Sequence, residues 1–108
     1  MGGFEVNRED VAGGGVVLRL GGTLDVGAAL VLKNVLGEVD RTAHVVVDFS
    51  QVREFHDLSV SVLARAFSQR PVQLQGLRTH QARMLEYFGI PAGEPKRNYY
   101  TPEEQLFA

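Results

Sequence analysis

The sequence predicts one α/β domain: a mixed β-sheet of four to five strands with α-helices packed mainly on one face. Three observations lead there. Segments with two-residue apolar alternation are interleaved with segments whose apolar residues recur every three or four positions. Residues Val45–Val47 are apolar in succession, as in a strand flanked by others in the middle of a sheet. Gln73 and Gln75 alternate with Val72 and Leu74, so one sheet face should be less well covered by helices than the other.

Phe4-Glu5-Val6-Asn7 alternates as a half-buried strand does, Ala12-Gly13-Gly14-Gly15 supplies a turn, and Val16–Leu20 supplies the second arm of a hairpin. Gly21-Gly22 should end that arm. Asp25 can cap a helix carrying Ala29, Leu32, Leu36 and Val39 at helical spacing. The run from His44 to Phe49 reads as the central strand, with both faces covered. A polar loop then leads to a helix after Ser59 bearing Val60, Leu63, Ala64 and Phe67, which must stop at Arg70 before Pro71. Val72–Gln75 reads as a further strand. Thr79 can cap a third helix with Ala82, Leu85 and Phe88, closed by Gly89. Pro91–Asn98 reads as a polar loop, Tyr99-Tyr100 as a short edge strand, and Thr101-Pro102-Glu103-Glu104 as the start of a last helix. The order is ββαβαβα(β)α, and strands joined through helices imply right-handed crossovers and a partly parallel sheet.

A chain of 108 residues supports one core, and a 44% apolar content is ordinary for a globular protein. No apolar stretch reaches membrane-spanning length, and MGGFEVNRED lacks the basic and apolar regions of a signal peptide. With no cysteine, thiol chemistry and cysteine-ligated metals are excluded. A net charge of −2 does not favour nucleic acid. The expectation is a cytoplasmic domain with no direct membrane insertion, no cofactor and no metal. Gly13–Gly15 lacks the lysine and following helix of a phosphate loop and reads as a turn. His44, His56 and His80 have no ligand spacing. Pro95-Lys96-Arg97 with the two tyrosines reads as solvated loop, and Arg78 and Arg83 could meet an acidic partner.

The most informative stretch is 44–63, where a strand, a loop and a helix start place His56, Asp57, Leu58 and Ser59 beside free helix N–H groups. In this order, Gly22-Thr23-Leu24-Asp25, Val45–Phe49 with Ser50, Leu77–Ile90 and Tyr100–Leu106 resemble the STAS domain (sulfate transporter and anti-sigma-factor antagonist) over residues 4–107. The resemblance implies a single-domain, non-enzymatic interaction module that docks on an anti-sigma factor or switch-kinase-like protein. Homodimers and larger signalling assemblies are also implied, and some relatives are accessory subunits of lipid-transport ATPase assemblies. A small-ligand or nucleotide-sensing role, with Asp25 and Asp48 in a cleft at the sheet ends, is the alternative.

The family's D-S-S-G signature starts its second helix, and its first serine is phosphorylated in antagonist members. Here an ungapped match from Val52 puts Asp57 on that serine, Leu58 on the second and Ser59 on the glycine; a one-residue insertion puts Leu58 there instead. Either way the position has no hydroxyl. Asp57 then acts either as a helix cap alone or as a phosphomimetic, since a phosphoserine carries about −1.5 to −2 charges against one for aspartate. The expected partner-binding residues are Glu54, His56, Asp57, Ser59 and Ser61; Ser59 and Ser61 are also the candidates for modification at a shifted position.

Overall fold

Alternation of polar and apolar residues is what shapes the first hairpin. In the structure, a computed structural model describing residues 3–90, β1 (Phe4–Val11) pairs antiparallel with β2 (Gly15–Leu24) in unbroken register from Phe4 opposite Gly22 to Val11 opposite Gly15. Gly21-Gly22 does not end the strand as the sequence suggested. β2 runs through both glycines because they let β1 pass close alongside.

Asp25 then starts α1 (Val26–Glu38), and its Oδ1 accepts the Ala28 N–H at 2.8 Å, as expected of an N-cap. Asp25→Ala should cost about 1 kcal/mol, read as a shift in urea midpoint at unchanged slope; no shift would mean another group satisfies that N–H.

The next strand, β3 (His44–Phe55), is central between β2 and β4 (Gln73–Gln75), parallel to both. It is longer than the 44–49 run, because two bulges carry the pairing onward. Arg19 lies opposite Asp48 but Gly21 opposite Gln51, and Gly22 lies opposite Val52 but Thr23 opposite Glu54. Each extra residue on β3 resets which face a side chain takes. Phe49 and Val52, three apart, are therefore both buried.

After β3 come α2 (Asp57–Gln69) and, after β4, α3 (Thr79–Tyr87). α2 begins two residues before Ser59, and Arg70 follows it as the C-cap, one residue short of Pro71. α3 is capped at Arg78 instead of Thr79: the Gln81 Oε1 reaches back to accept the Arg78 backbone N–H at 2.9 Å. Gly89, at φ 89°, closes the helix, with the Ile90 N–H donating to the Leu85 carbonyl at 2.9 Å. The expected loop at 91–98, strand at Tyr99-Tyr100 and helix from Thr101 lie outside the described residues.

The strands run β1-β2-β3-β4 without reversal. Right-handed crossovers in a sheet that grows in one direction put successive helices on the same face. Accordingly Val16, Leu18 and Leu20 of β2 and Val45, Val47 and Phe49 of β3 are buried in one core with Ala29, Leu32 and Leu36 of α1 and Val60, Leu63 and Phe67 of α2. The described residues do not cover the opposite face of β3 in the way its apolar run implied: Val46 and Asp48 are only half-buried. That face is polar. Arg19 pairs with Glu9 of β1, its Nε lies 4.0 Å from Asp48 Oδ2, and His44 Nε2 lies 3.1 Å from Gln73 Oε1.

Candidate functional site

β2 and β3 end level with each other, which brings two helix starts together. Leu24 pairs with Phe55, and the His56 N–H donates to the Leu24 carbonyl at 3.0 Å. One residue beyond each strand, Asp25 caps α1 and His56 caps α2. Asp25, Val26, Gly27, Phe55, His56, Asp57 and Leu58 line a shallow, open depression between them.

The two caps differ. Asp25 satisfies a helix N–H, whereas His56 makes no side-chain cap hydrogen bond. Asp57 is the first residue inside α2 and not its cap, which corrects the capping role the sequence suggested; its carboxylate stands in the first turn, where the helix dipole favours an anion. Glu54 completes an acidic rim, its Oε1 3.7 Å from His56 Nε2.

The two serines part company. Ser59 is completely buried, and its hydroxyl donates to the His56 carbonyl at 2.6 Å. Its small side chain fits tightly at the helix start and its oxygen is sealed from solvent. Ser61 is exposed and donates to the Leu58 carbonyl at 2.9 Å. Of the proposed partner-binding residues, Glu54, His56 and Asp57 are exposed at the helix start, Ser61 is exposed but lines a separate depression with Phe88 and Ile90, and Ser59 is buried beneath.

The two aspartates proposed for a ligand cleft are not brought together. Asp25 is at the depression, while Asp48 pairs with Arg19, five residues before Leu24, on the polar sheet face. Five strand residues span about 17 Å. Among the described strands the order does not reverse, so they form no switch-point crevice of the kind α/β sheets use for nucleotides.

Sequence reasoning placed Leu58 in the loop but overlooked the apolar residues that α1 exposes. Leu58 is 73% exposed at the head of α2, and Val26 and Leu30, one turn apart on α1, are also exposed. The signal was present in α1: Val26, Leu30 and Val31 fall off the face of Ala28, Ala29, Leu32 and Leu36, so the helix is apolar on two sides. Among the described residues no group of three or more histidines and acids is placed to hold a metal ion. No helix among them is long and apolar enough to cross a membrane. Carboxylates around an exposed leucine form a surface suited to recognition.

Residues 7–92 match the family described as "Mlab, STAS domain". Among solved structures, the chain is similar to a serine-to-glutamate variant of RsbS from Moorella thermoacetica, at 20% identity and a TM-score of 0.61, covering 85% of this chain and 87% of that one. It is also similar to an antisigma-factor antagonist STAS domain from Rhodobacter sphaeroides, at 22% identity and a TM-score of 0.49, covering 66% of this chain and 82% of that one. No curated protein matches. The family match spans most of the 108 residues and coincides with the hairpin, the parallel crossovers and the paired helix starts: the chain belongs to the Mlab-type STAS domain family.

Proposed function

We propose that the chain is a non-enzymatic protein-interaction module of bacterial regulation, anti-sigma-factor antagonist-like, that docks through the 53–60 loop and the exposed side of α2. It carries a permanent negative charge, Asp57, where regulated relatives carry phosphate. The observation that carries this reading is the burial of Ser59. In the ungapped match Ser59 falls on the family's glycine, and full burial is what a position kept for a small residue calls for; Asp57 then falls on the phosphorylated serine at the exposed first turn. A carboxylate there acts on a partner as a phosphate does: it rewards a cation opposite it and repels an anion. With Asp57 at the family position and the Ser59 hydroxyl buried against the His56 carbonyl, neither of these two positions offers a kinase an accessible hydroxyl.

The test mixes the domain with candidate switch kinases or anti-sigma factors and ATP, wild type beside Asp57→Ser, following binding by calorimetry and phosphate by intact mass. Binding of wild type should resemble that of a phosphorylated relative, and the serine variant should gain one phosphate and change its affinity at least about tenfold. Equal binding by both proteins, with no phosphate on either, sinks the phosphomimetic role. A second reading, an accessory subunit bearing on a lipid-transport ATPase, is favoured by the same missing hydroxyl, since such a subunit needs no phosphorylation switch. Under it, both variants bind the ATPase with equal affinity.

A further inference from the structure

α1 and α2 each return along parallel strands, so they lie side by side with their N-termini at the same end. The groove between them changes character along its length. At the N-terminal end stand the carboxylates of Asp25, Asp57 and Glu54. Next come Val26 and Leu30, one turn apart on α1 and 36% and 46% exposed, with Val26 lining the same depression as the exposed Leu58 of α2. Beyond them a second depression is lined by Lys33, Gly37, Arg41 and Arg70, and no acid lines it. Arg70 is held in place by the carbonyls of Val39 and Ala43, at 2.8 and 3.1 Å. The nearby Asp40 carboxylate is engaged by Thr42, whose N–H and hydroxyl, with a smaller contribution from the charge of Arg70, hold it below the usual carboxylate range.

Gly37 adds a steric clue. It sits inside α1 with no atom within 4 Å of where a Cβ would stand. Alanine would fit this chain and favour the helix. Glycine leaves a notch that lets another helix approach closely.

We infer that this groove receives an amphipathic helix of a partner protein, acidic in its first turns and basic in its last, lying antiparallel to α1 and α2. This rests on the reading that the domain works by docking to a protein. The orientation follows from charge. Helices favour acids at their N-terminus and bases at their C-terminus, and only the antiparallel placement sets those acids on Lys33, Arg41 and Arg70 and those bases on Asp25, Glu54 and Asp57. The partner's leucine-like residues at i, i+3, i+4 and i+7 cover Val26, Leu30 and Leu58.

The probes are two synthetic helical peptides of about four turns with the same apolar stripe, one acidic-first and one with its charges reversed. They are titrated to about 1 mM into the full chain and followed by amide shifts. The acidic-first peptide should bind at least about tenfold tighter, with shifts at Val26, Leu30, Lys33 and Leu58, and the preference should shrink with salt. Leu30→Glu should lose at least about tenfold with the fold intact, and Gly37→Leu should weaken binding similarly while the melting temperature holds. Equal binding of the two peptides, shifts elsewhere, no shifts at all, or a groove covered by a second copy of the chain overturns the inference. If a candidate kinase or ATPase binds wild type, Leu30→Glu and Gly37→Leu alike, the groove inference falls while the docking reading stands. If no candidate binds but the peptides discriminate, the groove stands and the partner class falls.

Discussion

Phe49→Ala should lower the stability of the domain by about 3–5 kcal/mol, more than any surface change described above. Phe49 is 1% exposed in the middle of the core, on the central strand. Its ring meets Phe55 edge to face, with centroids 5.9 Å apart and planes at 86°. Such a pair adds about 0.5–1.5 kcal/mol beyond the buried area. The same pair spans both bulges of β3, so it ties the end of the strand, and with it His56 and Asp57, to the core. Urea denaturation gives the loss, and amide spectra give its reach: signals from Phe55 to Leu58 should move most. A loss under about 1 kcal/mol would mean the core closes over the missing ring and the pair does not position the loop.

Gly22→Ala should cost about 2–3 kcal/mol although it adds a single methyl group. Gly22 has φ 92°, a left-handed value that costs an ordinary residue about 1–2 kcal/mol. A Cβ there would also run into the Gly3 carbonyl, the oxygen that accepts the Thr23 N–H at 3.0 Å. The start of β1 must then move off β2, and the bulge that sets Thr23 opposite Glu54 loses its support. The contrast with Gly37→Ala separates backbone demand from helix propensity. That variant should be neutral or raise the melting temperature, since nothing crowds position 37. Equal stability of Gly22→Ala and wild type would show that β1 adapts freely at its first residues.

Most of the element order was legible because it follows from local rules. The alternation of Phe4–Asn7, the Asp25 cap, the helical spacing of Leu32 and Leu36 and the stop before Pro71 depend on residues a few positions apart. Boundaries that depend on another strand were not. Nothing local shows that Gly21-Gly22 would stay in β2, because the reason is the close passage of β1. Nothing local shows that β3 would run to Phe55, because its bulges are defined only against β2. The cap of α3 differs by one residue for a local reason instead: Thr79 has the better hydroxyl, but Gln81, three residues on, reaches back to Arg78.

The candidate site divides the same way. By itself the sequence determined the helix start at 56–59 and the lack of cysteine among the 108 residues, since these depend only on which residues are present and on their spacing. Only the tertiary structure decided which of those residues share a surface. It buried Ser59 and left Ser61 open, made Asp57 the first helical residue and not the cap, and separated Asp25 from Asp48. It also set Leu58 beside Val26 in the depression between the two helix starts. The physical reason is that burial and charge neighbourhood are set by how β2 and β3 align. Two single-residue bulges on β3 decide which side chains reach the depression and which turn into the core.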